Sequence, residues 1–268
     1  MNVRPAGATT EARRRAVRGA VPFALLGAVL LAACSGPDAD EAEPARSTRA
    51  PTTTTTASTT TTTTTTTTVP PTTTTTAPAQ FHATVLPIDP ATAQRMTGVS
   101  WRPGCPVGLD GLRLLRLAHH GFDGAVHQGE LVVSAVWADR IVEVFRKLFD
   151  AGYPIERMQL VDDFGASDEA SVLANNTSAF NCRAVTGGTG WSRHSYGTAI
   201  DLNPRQNPYV YPDGHLLDPA SEPFRDRNGT HPAMIHEGDA VFAAFSEIGW
   251  RWGGFFTDTP DPQHFDTR

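Results

Sequence analysis

Lysine is almost absent from this sequence. The 268-residue chain carries 22 lysines and arginines together, and Lys147 alone is a lysine. After Gln80 there are 15 basic residues against 23 acidic ones, a net charge of −8. No basic patch or stripe of the kind that neutralises phosphates is present, which excludes a nucleic-acid partner. A spanning hydrophobic run is missing too. The apolar stretch Val21 to Ala33 is broken by Pro22 and Gly27 and falls short of the roughly 20 residues a membrane helix needs. Cysteine is scarce. Of three in the chain, two, Cys105 and Cys182, follow the N-terminal region, and an even pair in an exported chain fits a single disulfide. Two separate thiols, or sulfur ligation of a metal, are the alternatives.

What is present at the N-terminus is an address. Arg4, Arg13, Arg14, Arg15 and Arg18 precede the short apolar run, the pattern of a secretory signal. The run ends Leu31-Ala32-Ala33-Cys34. Small residues directly before a cysteine resemble a bacterial lipoprotein signal, which implies lipidation of Cys34 and retention at the outer face of the bacterial cell membrane. Ordinary cleavage near Ala33 is the competing reading. Residues 35–80 are acidic and small at first and then almost pure Thr with Pro. Such a segment buries too little apolar surface to order itself, and Thr- and Pro-rich stretches often serve as O-glycosylated stalks. As a tether it would reach up to roughly 150 Å fully extended. The expected organisation is therefore a signal over 1–34, a disordered tether over 35–80 and one folded domain over 81–268.

Periodicity in that domain predicts a strand at Leu112 to Ala118, a loop at His119 to Gln128 and a second strand at Glu130 to Val136, paired as a hairpin. Ala138 to Ala151 is the clearest helix, with Ile141, Val142, Val144, Phe145, Leu148 and Phe149 on one face and Gly152 as its stop. A short strand is expected at Met158 to Val161, a short helix at Asp168 to Leu173, and an amphipathic helix at Ala240 to Ile248. Strands and helices do not alternate regularly, so the fold class is α+β with a small, mainly antiparallel sheet flanked by helices.

The chemistry concentrates in Ser192-Arg-His-Ser-Tyr-Gly-Thr-Ala-Ile-Asp201. Seven residues along a helix rise about 10 Å, too far for His194 and Asp201 to grip one ion through bonds of about 2.0–2.2 Å. A turn at Gly197 running into a strand at Thr198 to Ile200 would bring them together. A third ligand is needed. His264 in Asp261-Pro-Gln-His264 is a candidate, with Asp261 able to face the same way from one tight turn; His215, His231 and His236 compete. Two histidines and one carboxylate leave a zinc position open for water, and a nearby carboxylate can take the water's proton. Asp261 before Pro262 also reads as a helix N-cap. His119, His120 and His127 form a further cluster, read as solvated loop residues.

The run Ser192-x-His194-x-x-Gly197-x-Ala199-x-Asp201, then Trp250-x-Trp252-Gly253-Gly254, then Asp261-x-x-His264-Phe265 resembles the zinc D-alanyl-D-alanine carboxypeptidase family, whose fold is shared with the zinc-binding domain of hedgehog proteins. The resemblance implies Zn²⁺ held by His194, Asp201 and His264, with Asp261 as catalytic base. Arg183 would polarise the scissile carbonyl or hold a substrate carboxylate, which in so acidic a domain needs a local arginine. Ser192 and Tyr196 are candidates for substrate contact. Trp250 and Trp252 are expected to pack behind the His264 segment, with the paired glycines letting backbone approach substrate. The implied partner is a peptidoglycan stem peptide. Carboxypeptidase branches of the family carry Glu at the base position, whereas endopeptidase branches more often carry Asp as here. An L-Ala-D-Glu-type endopeptidase, or a zinc-containing wall-binding lipoprotein without turnover, are the other readings.

Overall fold

The computed structural model describes residues 79–267. The expected signal, Cys34 and most of the tether lie outside those residues. No helix among the described residues is long and apolar enough to cross a membrane.

Strands β1 (Ala83–Pro87), β2 (Leu112–His120) and β3 (Val126–Ser134) form an antiparallel sheet in the order β1-β2-β3. Helix α1 (Pro90–Met96) links the first two strands. Successive residues of β2 face opposite sides, and both sides are covered. Leu115 and Leu117, with Leu131 and Val133 of β3, enter the main core. Leu112, Leu114 and Val132 enter a second cluster with Met96, Phe180 and Cys182. The expected loop at His119 to Gln128 is shorter than the glycines suggested. His119 and His120 end β2, Val126 to Gln128 begin β3, and the pairing continues to His120↔Val126. Only residues 121–125 turn. His119 is therefore a buried strand residue rather than a solvated one, and burial pushes its imidazole down to about 4.

Helix α2 (Ala138–Asp150) buries Ile141, Val144, Phe145, Leu148 and Phe149 against the first sheet, the stripe its spacing predicts. Gly152, at φ 69°, ends it. Strands β4 (Arg157–Met158) and β5 (Asn176–Thr177) are two residues each and pair in parallel. The strand expected to run on to Val161 stops early, because Val161–Phe164 winds into a 3₁₀ turn closed by Gly165 in the left-handed region. Helix α3 (Asp168–Leu173) starts where Ser167 caps the Ala170 N–H at 3.1 Å.

The second sheet carries the chemistry. Strands β6 (Ala199–Asp201), β7 (Arg251–Trp252) and β8 (His264–Asp266) are antiparallel in the order β6-β8-β7. Helix α4 (Ala240–Glu247) precedes β7 and packs its Phe245 on Phe265, ring centroids 4.1 Å apart and nearly parallel. A disulfide joins Cys105 to Cys182, with 6.0 Å between Cα atoms. It ties the loop after α1 to the extended segment that leads into the Ser192–Asp201 stretch. Antiparallel pairs prevail, with β4–β5 the parallel exception among the described strands.

Candidate metal centre

Register assembles the site. Asp201 pairs with His264, Ile200 with Phe265, and Ala199 with Asp266. Residues directly opposite in an antiparallel pair share a face, with Cβ atoms about 4.5–5.5 Å apart. Asp201, His264 and Asp266 thus look one way, and Ile200 and Phe265 enter the core. Across β7, Arg251 pairs with Asp266 and joins the polar face.

His194 arrives from the 3₁₀ turn Arg193–Tyr196. Ser192 caps that turn by accepting from the His194 N–H at 3.3 Å. Gly197 closes it at φ 65°. A Cβ there would stand 2.5 Å from the backbone nitrogen of Ser134, which donates to the Gly197 carbonyl at 2.8 Å. Only glycine fits both the angle and the approach.

The three side chains converge. His194 Nε2 lies 3.1 Å from Asp201 Oδ2 and 3.3 Å from His264 Nδ1. His264 Nδ1 lies 2.8 Å from Asp201 Oδ1. Tetrahedral zinc with bonds near 2.0–2.2 Å sets its ligand atoms roughly 3.4 Å apart, so the separations fall only slightly under those of a bound ion. The chemistry of the donors fits as well. His194 Nδ1 donates to the Ala179 carbonyl at 2.5 Å, which leaves the Nε2 lone pair facing the cluster. His264 turns Nδ1 inward and sets Nε2 3.5 Å from Asp266 Oδ2, the carboxylate behind a ligand imidazole that metal sites commonly use. Among the described residues, no other grouping of three or more His, Cys, Asp or Glu side chains comes within ligand reach. His215, His231 and His236 stay outside this one, as do His119, His120 and His127.

Burial resists charge on His264, but its contacts with Asp201 and Asp266 prevail and raise the imidazole to about 10. Burial likewise resists ionisation of Asp201, and His194 and His264 overcome it, holding that carboxyl well below the usual range.

Asp261 caps no helix. Its residues form a turn leading straight into β8, held by the Asp261 N–H to Gly253 O at 2.9 Å and the His264 N–H to Asp261 O at 3.0 Å. The Trp252 indole donates to Pro262 O at 2.8 Å, so Trp252 packs behind this turn. The glycine pair serves a different approach from the one expected. A Cβ on Gly253 would sit 2.4 Å from Asp261 O, so it is the Asp261 turn, not a substrate, that needs the bare backbone. Asp261 Oδ1 is buried and has no hydrogen-bond partner. Burial, chiefly, pushes its carboxyl up to about 7, with the imidazoles opposing and Asp201 adding. A divalent cation beside it would pull that value back down.

His194, Asp201, His264 and Asp261 all open onto one cleft of about 480 Å³. Arg183 and Ser192 line it too, whereas Tyr196 does not; Tyr209 and Tyr211 supply the cleft's tyrosines. Arg183 is bound to Asp168 of α3 at 2.9 Å, and its Nε is buried without a partner. Sequence reasoning missed Asp168, Asp266 and Arg251. The alternation His264-Phe265-Asp266 was the one local hint, since residues two apart on a strand share a face.

A pocketed His–Asp–His group beside a buried carboxyl, carried on a small antiparallel sheet in an α+β fold, has the donor set that could hold one divalent cation, the arrangement used by metal-dependent hydrolases. Residues 186–267 match the family model described as D-alanyl-D-alanine carboxypeptidase. That span includes all three candidate ligands and Asp261 but not Arg183, and the architecture is that of a hedgehog/DD-peptidase-like fold. No curated protein and no solved structure matches the chain.

Proposed function

We propose that this protein is a zinc peptidase that removes the terminal D-Ala from peptidoglycan stem peptides. The observation that carries the reading is the convergence of His194, Asp201 and His264 beside the unpartnered Oδ1 of Asp261. His194 Nε2, Asp201 and His264 Nδ1 would hold the ion. Zinc so held supplies a Lewis acid and makes water acidic enough to ionise near neutral pH.

The chain's own groups do the rest. Asp261 takes the proton of the attacking water at its unpartnered carboxyl oxygen and returns it to the departing amine nitrogen. Arg183, steadied by Asp168, donates to the scissile carbonyl oxygen as charge gathers there. Asp266 and the Ala179 carbonyl keep the two imidazoles in the tautomers that bind metal. Water adds to the D-Ala-D-Ala amide, the C–N bond breaks, and free D-Ala leaves. Lipidation of Cys34 would hold the enzyme at the outer face of the membrane, with the Thr-rich tether carrying the domain into the wall.

The test is release of D-Ala from a defined stem pentapeptide by the zinc-loaded protein. Asp261→Asn should bind zinc as before and lose at least about 10²-fold in kcat. Zinc binding with no turnover in the parent protein would favour a wall-binding role. Cleavage between L-Ala and D-Glu, with no free D-Ala, would mark an endopeptidase, the activity that Asp at the base position brings to mind.

A further inference from the structure

The charges around the cleft deepen this reading and rest on it. Asp168 is paired with Arg183. Asp218 is paired with Arg205 at 2.7 Å. Asp266 is paired with Arg251 through both oxygens, at 2.5 and 2.9 Å. Asp201 is taken by the two imidazoles, and Asp261 belongs to the proton transfer. Three arginines line the cavity, namely Arg183, Arg193 and Arg251. The first and last already face carboxylates. The Arg193 guanidinium, among the described residues, makes no ion pair and no side-chain hydrogen bond, and Arg193 is exposed.

We infer that Arg193 binds the free carboxylate of the substrate's leaving residue, so that the cleft selects peptides ending in an acid one residue beyond the scissile amide. Placement supports this. Arg193 immediately precedes the ligand His194, so their Cα atoms stand about 3.8 Å apart. Both residues line the same cleft. The domain as a whole repels anions, with a net charge of −8 after Gln80, so a carboxylate is retained only through a local, uncommitted cation. A guanidinium suits that task because it offers a carboxylate two parallel donors. The assignment also relieves Arg183 of a double duty: tied to Asp168, it serves the carbonyl oxygen, and Arg193 serves the terminus.

The experiment measures binding and turnover separately. The zinc-loaded Asp261→Asn full chain is titrated calorimetrically with an N-acylated D-Ala-D-Ala and with its C-terminal amide. The acid should bind about tenfold more tightly than the amide. Adding Arg193→Gln should erase that preference by weakening the acid alone, and Arg193→Lys should restore part of it. In the active parent, Arg193→Gln should raise KM for the acid with kcat little changed. Equal binding of acid and amide overturns the proposal, as does a preference that survives Arg193→Gln but is lost in Arg183→Gln. Failure of both peptides to bind overturns it as well. Release of D-Ala by the parent shows independently whether the peptidase reading stands.

Discussion

Replacing Gly253 with alanine adds a single carbon at the point where β7 passes the Asp261 turn. That Cβ would lie 2.4 Å from Asp261 O and 3.1 Å from the Cβ atoms of both Asp261 and His264. Real Cβ contacts essentially never fall under 3.0 Å, so the turn must retreat by the difference, 0.6 Å or more. The obstructing atom is backbone, which no side-chain rotation can clear. Gly253 does not occupy the left-handed region, so alanine adds no backbone strain of its own. A misplacement of 1 Å at a reacting group costs about 10²-fold in rate, so a shift on this scale predicts a loss of about ten- to twentyfold. The loss should fall on kcat, because the moved group is the proposed base, and zinc should also bind less tightly, because His264 moves with it. The assay is steady-state D-Ala release by zinc-saturated protein, with zinc affinity from chelator competition and a thermal melt to confirm folding. A folded Gly253→Ala protein with kcat and zinc affinity within twofold of the parent would refute the claim that this close approach sets the base.

Other outcomes follow from the same geometry. Asp266→Asn removes the carboxylate behind His264 and should weaken zinc binding about 10- to 100-fold, read by the same chelator competition. In the metal-free protein His264 is raised to about 10, above its ordinary value near 6.5. Its contribution to stability is therefore complete below pH 6.5 and is lost as pH rises through about 10. Metal-free protein should melt progressively lower over that window, and zinc uptake at pH 7.5 should release about one proton. Calorimetry in buffers of different ionisation enthalpy measures that release, and finding none would contradict the assignment of Nδ1 as ligand. The Cys105–Cys182 bridge closes a sequence separation of 77 residues, and changing both cysteines to serine should lower the unfolding free energy by about 2–5 kcal/mol, measured by denaturant titration.

Elements whose signals are local were legible in the sequence. Helix α2 announces itself through Ile141, Val144, Phe145 and Leu148, and the short helix expected over Asp168 to Leu173 is α3. The turn at Gly197 followed from the impossibility of closing His194 and Asp201 on one ion along a helix. The hairpin was legible but its turn was not, because Gly121, Gly124 and Gly129 read as loop. Gly129 in fact sits inside β3, where a Cβ would strike Met158 at 2.6 Å; it marks close packing of the next strand rather than a break. What no local pattern could supply was the partner of each polar group. Arg183 was legible as a cation near the site, but its pairing with Asp168 depends on how α3 docks. Asp261 had two local readings, and the turn that runs straight into β8 removes the helix-cap one.

Strand register is the deeper reason the site survives on so little regular structure. β6 and β8 are three residues each. A one-residue slip between them would carry His264 into the core and swing Phe265 into the cleft. Two sets of contacts oppose that slip from opposite faces. On the apolar face Phe265 is fully buried, stacked on Phe245 and near Trp252. On the polar face Arg251 clamps Asp266 from the neighbouring strand. The side chains that hold the register are thus interleaved with those that would hold the metal. Phe265 lies between His264 and Asp266, and Ile200 directly precedes Asp201. In so short a sheet the core does more than support the site, since the burial of Ile200 and Phe265 fixes which way Asp201 and His264 point.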